Sequence, residues 1–402
     1  MKIQDAIDNA SEGDTILVDS GTYYENVNVT RQITLRGIDR DGVKPIIDAN
    51  KNGNGIILSA DLIIVEGFSI SNLSGFDGIV VTSKGNIIST NHINGISHIG
   101  IFLTYDVDHK IINGNNMIIN NSASNQDMGI FIGSSNNSIL NNNLTGNDLG
   151  IWFNDYTDNN TLINNTATNN SAWGIYINGL GNNILIGNKV YNGNGGINVG
   201  GNDNILENNS IVNNEGGILM VRANNNTIKR NDCDKNIYYG LDLYLSFYNT
   251  IIENNFFNNQ ENGIIIDLSD NNIIYNNFFN NTNNSYIKAS TNRWNTTKTL
   301  GENIINGPFL GGNFWKNPFG SGFSQTCADA DNDGICDSPY VLESSNIDYL
   351  PLKSTDTDIV SQYAGSDGIV QRVEAVKAVR DYFNKLITKE DAVKVVRAYL
   401  RS

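Results

Sequence analysis

A glycine followed by isoleucine or leucine recurs at Gly78, Gly100, Gly129, Gly150, Gly174, Gly196, Gly217, Gly240 and Gly263, with spacings of 22, 29, 21, 24, 22, 21, 23 and 23 residues. A second element runs in step with it: Ile139-x-x-Asn142, Leu162-x-x-Asn165, Leu185-x-x-Asn188, Leu206-x-x-Asn209, Ile228-x-x-Asn231, Ile251-x-x-Asn254 and Ile273-x-x-Asn276. A fixed period of this length restricts the chain to architectures that stack one small unit on the next. After each glycine the apolar residues alternate, as in Ile130/Ile132, Ile151/Phe153, Ile175/Ile177 and Leu241/Leu243. A period of two belongs to a strand with one buried face, not to a helix. The Leu-x-x-Leu-x-Leu consensus of a leucine-rich horseshoe is absent, and a propeller blade needs four longer strands.

The pattern predicts an all-β fold, a parallel β-helix of about 22 residues per coil. Two or three short strands make each coil, and coils stack in register at ~4.8 Å. Five prolines, none between Pro45 and Pro308, fit one long body whose ladders a proline would interrupt. The corners need residues tolerant of left-handed backbone angles, the role of Asn and Gly. Identical asparagines in successive coils can also bond to one another. Together these uses account for most of the roughly 70 asparagines without a functional explanation. The 29-residue spacing from Gly100 to Gly129 predicts an inserted loop around Asn120–Gln126.

The charge balance excludes several partners. With 26 Lys+Arg against 42 Asp+Glu the net charge is −16, so no basic footprint for nucleic acid or an anionic membrane surface is expected. No run of 18 apolar residues spans a bilayer, and no secretory leader is visible ahead of the short amphipathic stretch Ile3–Ile7. Three His, four Met and three Cys leave little material for a soft-metal site.

After the repeats comes Cys327-Ala328-Asp329-Ala330-Asp331-Asn332-Asp333-Gly334-Ile335-Cys336-Asp337-Ser338-Pro339-Tyr340. Asp at alternate positions followed by Gly is how a loop wraps oxygen ligands around a hard cation. Asp329, Asp331 and Asp333 take positions 1, 3 and 5, the Ile335 carbonyl position 7 and Asp337 position 9. Tyr340 stands where a bidentate Glu is required, so a structural calcium ion (Ca2+) would need a remote ligand, Glu343 or Asp348. The alternative is a solvated acidic turn. Cys327 and Cys336 flank this loop; a disulfide there fits an oxidising compartment, two free thiols a reducing one. Cys233, at a strand position, reads as a buried apolar residue.

These features resemble the right-handed, single-stranded parallel β-helix proteins of the NosD-like family, in its archaeal surface type. The first coil carries the resemblance in Ile3-Gln4-Asp5-Ala6-Ile7-Asp8, Gly13-Asp14-Thr15-Ile16-Leu17-Val18, Gly21-Thr22-Tyr23-Tyr24-Glu25 and Ile33-Thr34-Leu35-Arg36-Gly37. The end carries it in Trp315, Asp331 to Tyr340, and Asp348-Tyr349-Leu350-Pro351-Leu352. The resemblance implies an N-terminal cap helix and a terminal cap. The family's copper-linked role has no Met or His cluster to support it here.

Composition changes after Leu352. The expected organisation is residues 1–300 as the β-helix with its cap, 301–352 as a C-terminal cap, 353–366 as a linker and 367–402 as a small α-helical hairpin, which carries net charge +3. Val373, Val376, Val379 and Phe383 lie on one helical face. Thr388-x-x-Asp391 opens a second helix running through Val395, Val396, Tyr399 and Leu400. This tail resembles a degenerate dockerin-like module: Asp367-Gly368-Ile369-Val370 and Glu374 match calcium-loop positions 5, 6, 7, 8 and 12, while Tyr363 and Gly365 replace acidic ligands. The resemblance implies docking to a protein partner through residues 367–402.

Outward strand positions place Phe102, Phe131, Trp152 and Tyr176 in a strip able to hold sugar rings. Packing beneath a loop or a neighbouring molecule is the alternative use of that strip. Asp155, Asp242 and Asp267 lie near it, and Asp242 with Asp267 is the one plausible acid pair. His92, His98 and His109 are placed in loops of the early coils and form no triad. The reading is a secreted or cell-surface, extracellular scaffold that binds polysaccharide or a glycan surface without catalysis. A polysaccharide-active enzyme (lyase, hydrolase or epimerase) with Asp242 and Asp267 as its acids is the alternative.

Overall fold

The computed structural model describes residues 2–49, 52–71, 75–95, 97–104, 114–353, 363, 370–384 and 389–401. Strands of two to six residues succeed one another in threes. Every third strand joins the same sheet, giving three parallel sheets of 12, 13 and 12 strands. The chain is therefore a parallel β-helix, and paired residues of successive coils lie mostly 21 to 23 positions apart. Between the strands Thr15–Val18 and Ile273–Tyr275 the first sheet runs unbroken, and the third runs from Val27–Val29 to Asn283–Lys288.

Inward side chains form one apolar column. Ile101, Ile130, Ile151, Ile175, Ile197, Ile218, Leu241 and Ile264 are all fully buried in register. Cys233 is buried among them as expected. Helix α1 (Ile3–Asn9) closes one end with Ile3 and Ile7. Stacked rings close the other: Phe256, Phe279 and Trp315 follow one another at centroid distances of 5.2 and 4.5 Å.

The asparagines divide their two tasks by position. In Asn120-Asn121, Asn141-Asn142, Asn164-Asn165 and Asn208-Asn209 the first residue takes the left-handed turn, with φ between 54° and 56°. The second is buried and enters a ladder. Asn165, Asn188, Asn209 and Asn231 each accept, through Oδ1, from both the backbone N–H and the side-chain Nδ2 of the coil before, at 2.9–3.0 Å. The same Nδ2 also donates to a main-chain carbonyl, as Asn188 does to Leu162. A second ladder runs from Asn86 through Asn116, Asn137, Asn160 and Asn183 to Asn272 and Asn292. The third corner holds a broken one, including Asn214, Asn236, Asn259 and Asn281. Two ladders finish in the antiparallel hairpin Tyr340–Glu343 with Asn346–Asp348. Asn346 Oδ1 accepts from Asn292 N, and Asp348 Oδ2 accepts from Asn313 N and Trp315 Nε1. Burial pushes the Asp348 carboxyl up to about 7 against these bonds.

Left-handed corners are taken by asparagines and by glycines such as Gly146 and Gly187, with φ of 67° and 66°, while the recurring glycines have another role. A Cβ on Gly100 would lie 2.5 Å from the Gly129 carbonyl oxygen, and one on Gly129 2.6 Å from that of Gly150, so stacked backbones approach too closely there for any side chain. Asn120–Gln126 is not an insertion. Residues 122–124 form an ordinary strand, and the surplus falls between the strands Ile99–Leu103 and Met117–Ile119. The glycine spacing located the long coil without saying which corner held the extra length. The stripe Val373, Val376, Val379 and Phe383 of helix α2 (Arg372–Phe383) points to solvent. That helix packs through Ala375 and Ala378 against Val395 of helix α3 (Lys389–Arg401) and against Tyr363, because small side chains let two helices approach closely. Val396 and Tyr399 join this cluster, and Leu400 is exposed. Thr388, Gly365 and Asp367 to Ile369 lie outside the described residues.

Asn188→Ala removes the Oδ1 that serves Asn165 and the Nδ2 that serves Leu162 and Asn209. It is expected to lower the unfolding free energy by about 2–4 kcal/mol, read as a reduced urea midpoint. Asn143→Ala, on the outer side of a neighbouring strand, is the control and stays within about 0.5 kcal/mol.

Candidate functional site

The third sheet presents its outer positions in straight columns, because each strand is locked to the next by backbone bonds. One column reads Phe102, Phe131, Trp152, Tyr176, Asn198, Leu219, Asp242, Ile265 and Tyr286. Phe102 and Phe131 meet edge to face at 5.0 Å, and Phe131 and Trp152 at 4.9 Å. Phe131 is buried, whereas Phe102, Trp152 and Tyr176 are half-buried. The Trp152 indole N–H has no hydrogen-bond partner among the described residues. Trp173 stands beside Tyr176 at 6.3 Å and its ring lies over Gly195.

Six coils from Phe102, about 29 Å along the axis, the column reaches Asp242. The adjoining column on the same face reads Val221, Tyr244, Asp267 and Lys288, so Asp242 and Asp267 are diagonal neighbours. Asp267 Oδ2 accepts from Lys288 Nζ at 3.2 Å, while its Oδ1 is buried without a partner among the described residues. Burial, and then the charge of Asp267, pushes the Asp242 carboxyl up to about 6. Burial, and then Asp242, pushes the Tyr239 phenol upward. Two carboxyls in unlike environments, one easily protonated and one paired to an ammonium, are the arrangement acid–base chemistry uses. Lys288 escaped the sequence reading because it belongs to a coil, Asn283–Lys288, that lacks the Gly-Ile signature. Counting 21 residues on from Asp267 would have found it. Asp155 sits apart, bonded to Asn178.

The acidic loop is closed by a Cys327–Cys336 disulfide. One carboxylate oxygen each from Asp329, Asp331 and Asp333 lies within 4.8 Å of the other two. Asp329 accepts from Asp333 N and Gly334 N, and Lys298 Nζ pairs with Asp333. The Asp337 carboxylate is not part of the group and accepts from Ala330 N. The Ile335 side chain is buried. Asp348, considered as a remote ligand, is committed to the ladder end described above. His92 lies on the strand His92–Asn94, not in a loop. His98 Nδ1 sits 2.5 Å from Asp77 Oδ1, and His109 lies outside the described residues.

A family model described as periplasmic copper-binding protein (NosD) matches residues 7–178 and 158–320. No curated protein matches the chain. Among solved structures, the A-module of mannuronan C-5 epimerase AlgE6 from Azotobacter vinelandii is similar with a TM-score of 0.53 at 16% identity, over 72% of this chain and 84% of that one. The PL6 family polysaccharide lyase Pedsa3628 from Pseudopedobacter saltans gives 0.49 at 13% identity, over 72% and 90%. At these identities the likeness is one of fold.

Asp242 is expected to titrate near pH 6 in a carbon-13 spectrum of its carboxyl group, protonating as the pH falls through that value. In Asp267→Asn the midpoint moves down toward the ordinary carboxylate range, because the neighbouring charge is gone and only burial remains. An unmoved midpoint would show that the two carboxyls do not interact.

Proposed function

Because the chain belongs to the NosD family of β-helix proteins, we propose that it works outside the cytoplasm, in the periplasm or at the cell surface, as a polysaccharide-binding β-helix. The observation that carries this is the column on the third sheet, where Phe102, Phe131, Trp152 and Tyr176 stand one coil apart and run toward Asp242 and Asp267. Ring faces offer CH–π contact to sugars, and a repeating scaffold suits a repeating ligand. No described helix is long and apolar enough to cross a membrane. Solved structures sharing the fold include a mannuronan epimerase, which supports a polysaccharide as the ligand class.

A second reading has its own observation. The unlike settings of Asp242 and Asp267, with Tyr239 and Lys288 beside them, support acid–base chemistry on the bound chain. In that reading Asp242 acts as the acid, Asp267 as the base, and Lys288 holds the charge of an acidic sugar.

Copper does not fit the residues. Among the described residues the one group of three or more His, Cys, Asp or Glu side chains that could hold a metal is Asp329, Asp331 and Asp333. Its donors are all carboxylate oxygens, and both adjacent cysteines are tied in the disulfide. Oxygen donors select hard cations such as calcium, so we assign this loop a structural Ca2+. The helical pair at the C-terminus is assigned to docking on a protein partner, with Val373, Val376 and Phe383 exposed for it. A partner retained after residues 367–402 are removed would refute that assignment.

Trp152→Ala is expected to weaken binding on a polysaccharide array at least tenfold while leaving the fold intact by circular dichroism; unchanged binding would remove the aromatic column from the proposal. Asp242→Asn leaves binding within a fewfold. Loss of reducing-end, unsaturated or epimerised products in that variant would establish the enzymatic reading, and absence of all three from the unaltered protein would establish the scaffold. Millimolar calcium is expected to raise the melting temperature, and Asp331→Asn to cancel the rise.

A further inference from the structure

The second sheet carries a feature that the glycan column does not use. Near the N-terminal end its outer column reads Ile46, Ser69, His92 and Ser122, in register over four coils. The turn at Gly42–Lys44 leans over this column. It is held by the Arg40–Val43 bridge and by Ser20 Oγ, which donates to the Val43 carbonyl. Between turn and sheet lies a groove of about 650 Å³ lined by Lys44, Ile46, Ser69, Thr90, His92 and Ser122, among others.

The sign of this groove is opposite to that of the molecule. The chain carries a net charge of −16, yet the lining holds Lys44 and His92 and no Asp or Glu. Lys44 is half-buried, and its ammonium donates to the Thr90 carbonyl at a left-handed corner. That bond uses one of three ammonium hydrogens and fixes the head group at the groove wall. The His92 ring is fixed from the other side, with Nδ1 2.5 Å from Ser122 Oγ, which leaves Nε2 for a ligand. The hydroxyls of Ser69 and Thr90 add neutral donors. A cation, an imidazole and hydroxyls around an open groove recognise an anionic oxygen group, while Val43 and Ile46 give the rest of a saccharide an apolar wall.

We propose that this groove is a second subsite, which binds the anionic group of an acidic saccharide, a uronate carboxylate or a sulfate ester, between Lys44 and His92. The proposal rests on the polysaccharide reading only for the frame that carries the anion, since the groove lies on a different sheet from the aromatic column.

The test follows the His92 ring resonances of the full chain by NMR, with calorimetry alongside. Three probes are titrated: tetragalacturonate, a sulfated galactose tetrasaccharide and the uncharged tetragalactose. One or both anionic probes should shift His92 and bind at least tenfold tighter than the uncharged one, and which of them does so identifies the anion. Lys44→Met and His92→Gln should each cut that affinity at least tenfold. Trp152→Ala should leave the His92 shift intact. The proposal fails if neither anionic probe moves His92, or if the uncharged probe binds equally well. If Trp152→Ala fails to weaken polymer binding while His92 still responds, the aromatic column is wrong and this subsite stands.

Discussion

Everything in this molecule depends on a buried amide that accepts twice and donates twice. A coil of about 22 residues cannot stand alone, because its corners leave main-chain N–H and carbonyl groups facing inward with nothing to meet them. The asparagine ladders supply those partners. Each Oδ1 takes the N–H and side-chain amide of the preceding coil, and each Nδ2 returns to a carbonyl further back. An unmade bond of this kind is far more costly than a made one is favourable, so the ladder acts chiefly by leaving nothing unsatisfied. Register follows from it. Once the corners are aligned, every strand is aligned, and the columns on the outer faces are straight by consequence.

That is why the candidate site exists at all. Phe102 and Tyr176 are 74 positions apart in the chain, and only fixed register sets them in one row with Phe131 and Trp152 between. The same rigidity places Asp267 diagonally from Asp242 and beside Lys288. Unlike surroundings then separate two chemically identical carboxyls. Asp242 is partly withdrawn from water next to a charge, and Asp267 is answered by an ammonium.

The architecture was legible because its cause is periodic. Gly78 to Gly263 and Asn142 to Asn254 announce the coil length directly. Within the pattern, local detail was harder. Gly129 and Asn141 look like equivalent corner residues on paper, yet one is there for close stacking and the other for its backbone angle. The long coil gave its length but not its corner, since a spacing between two marks carries no information on position between them. In the tail, Val373, Val376 and Phe383 form the apolar stripe a reader expects to be buried, and the pair of helices closes instead over Ala375 and Ala378. Apolarity tells which residues want a partner and not whether the partner is within the chain. The Lys44 and His92 groove was invisible because its two halves come from a turn and a strand that only folding brings together.

The ladders also have a direction. Each rung hands its main-chain N–H and one amide hydrogen forward, toward the C-terminus, and one of the two long ladders ends on Asp348, a carboxylate with no hydrogen left to hand on when ionised. A terminus of that kind cannot seed another turn of the solenoid. Lengthening during evolution would therefore proceed by duplicating interior turns, with both ends carried along unchanged, and relatives of this protein should differ in reach by whole turns while sharing the same closing hairpin.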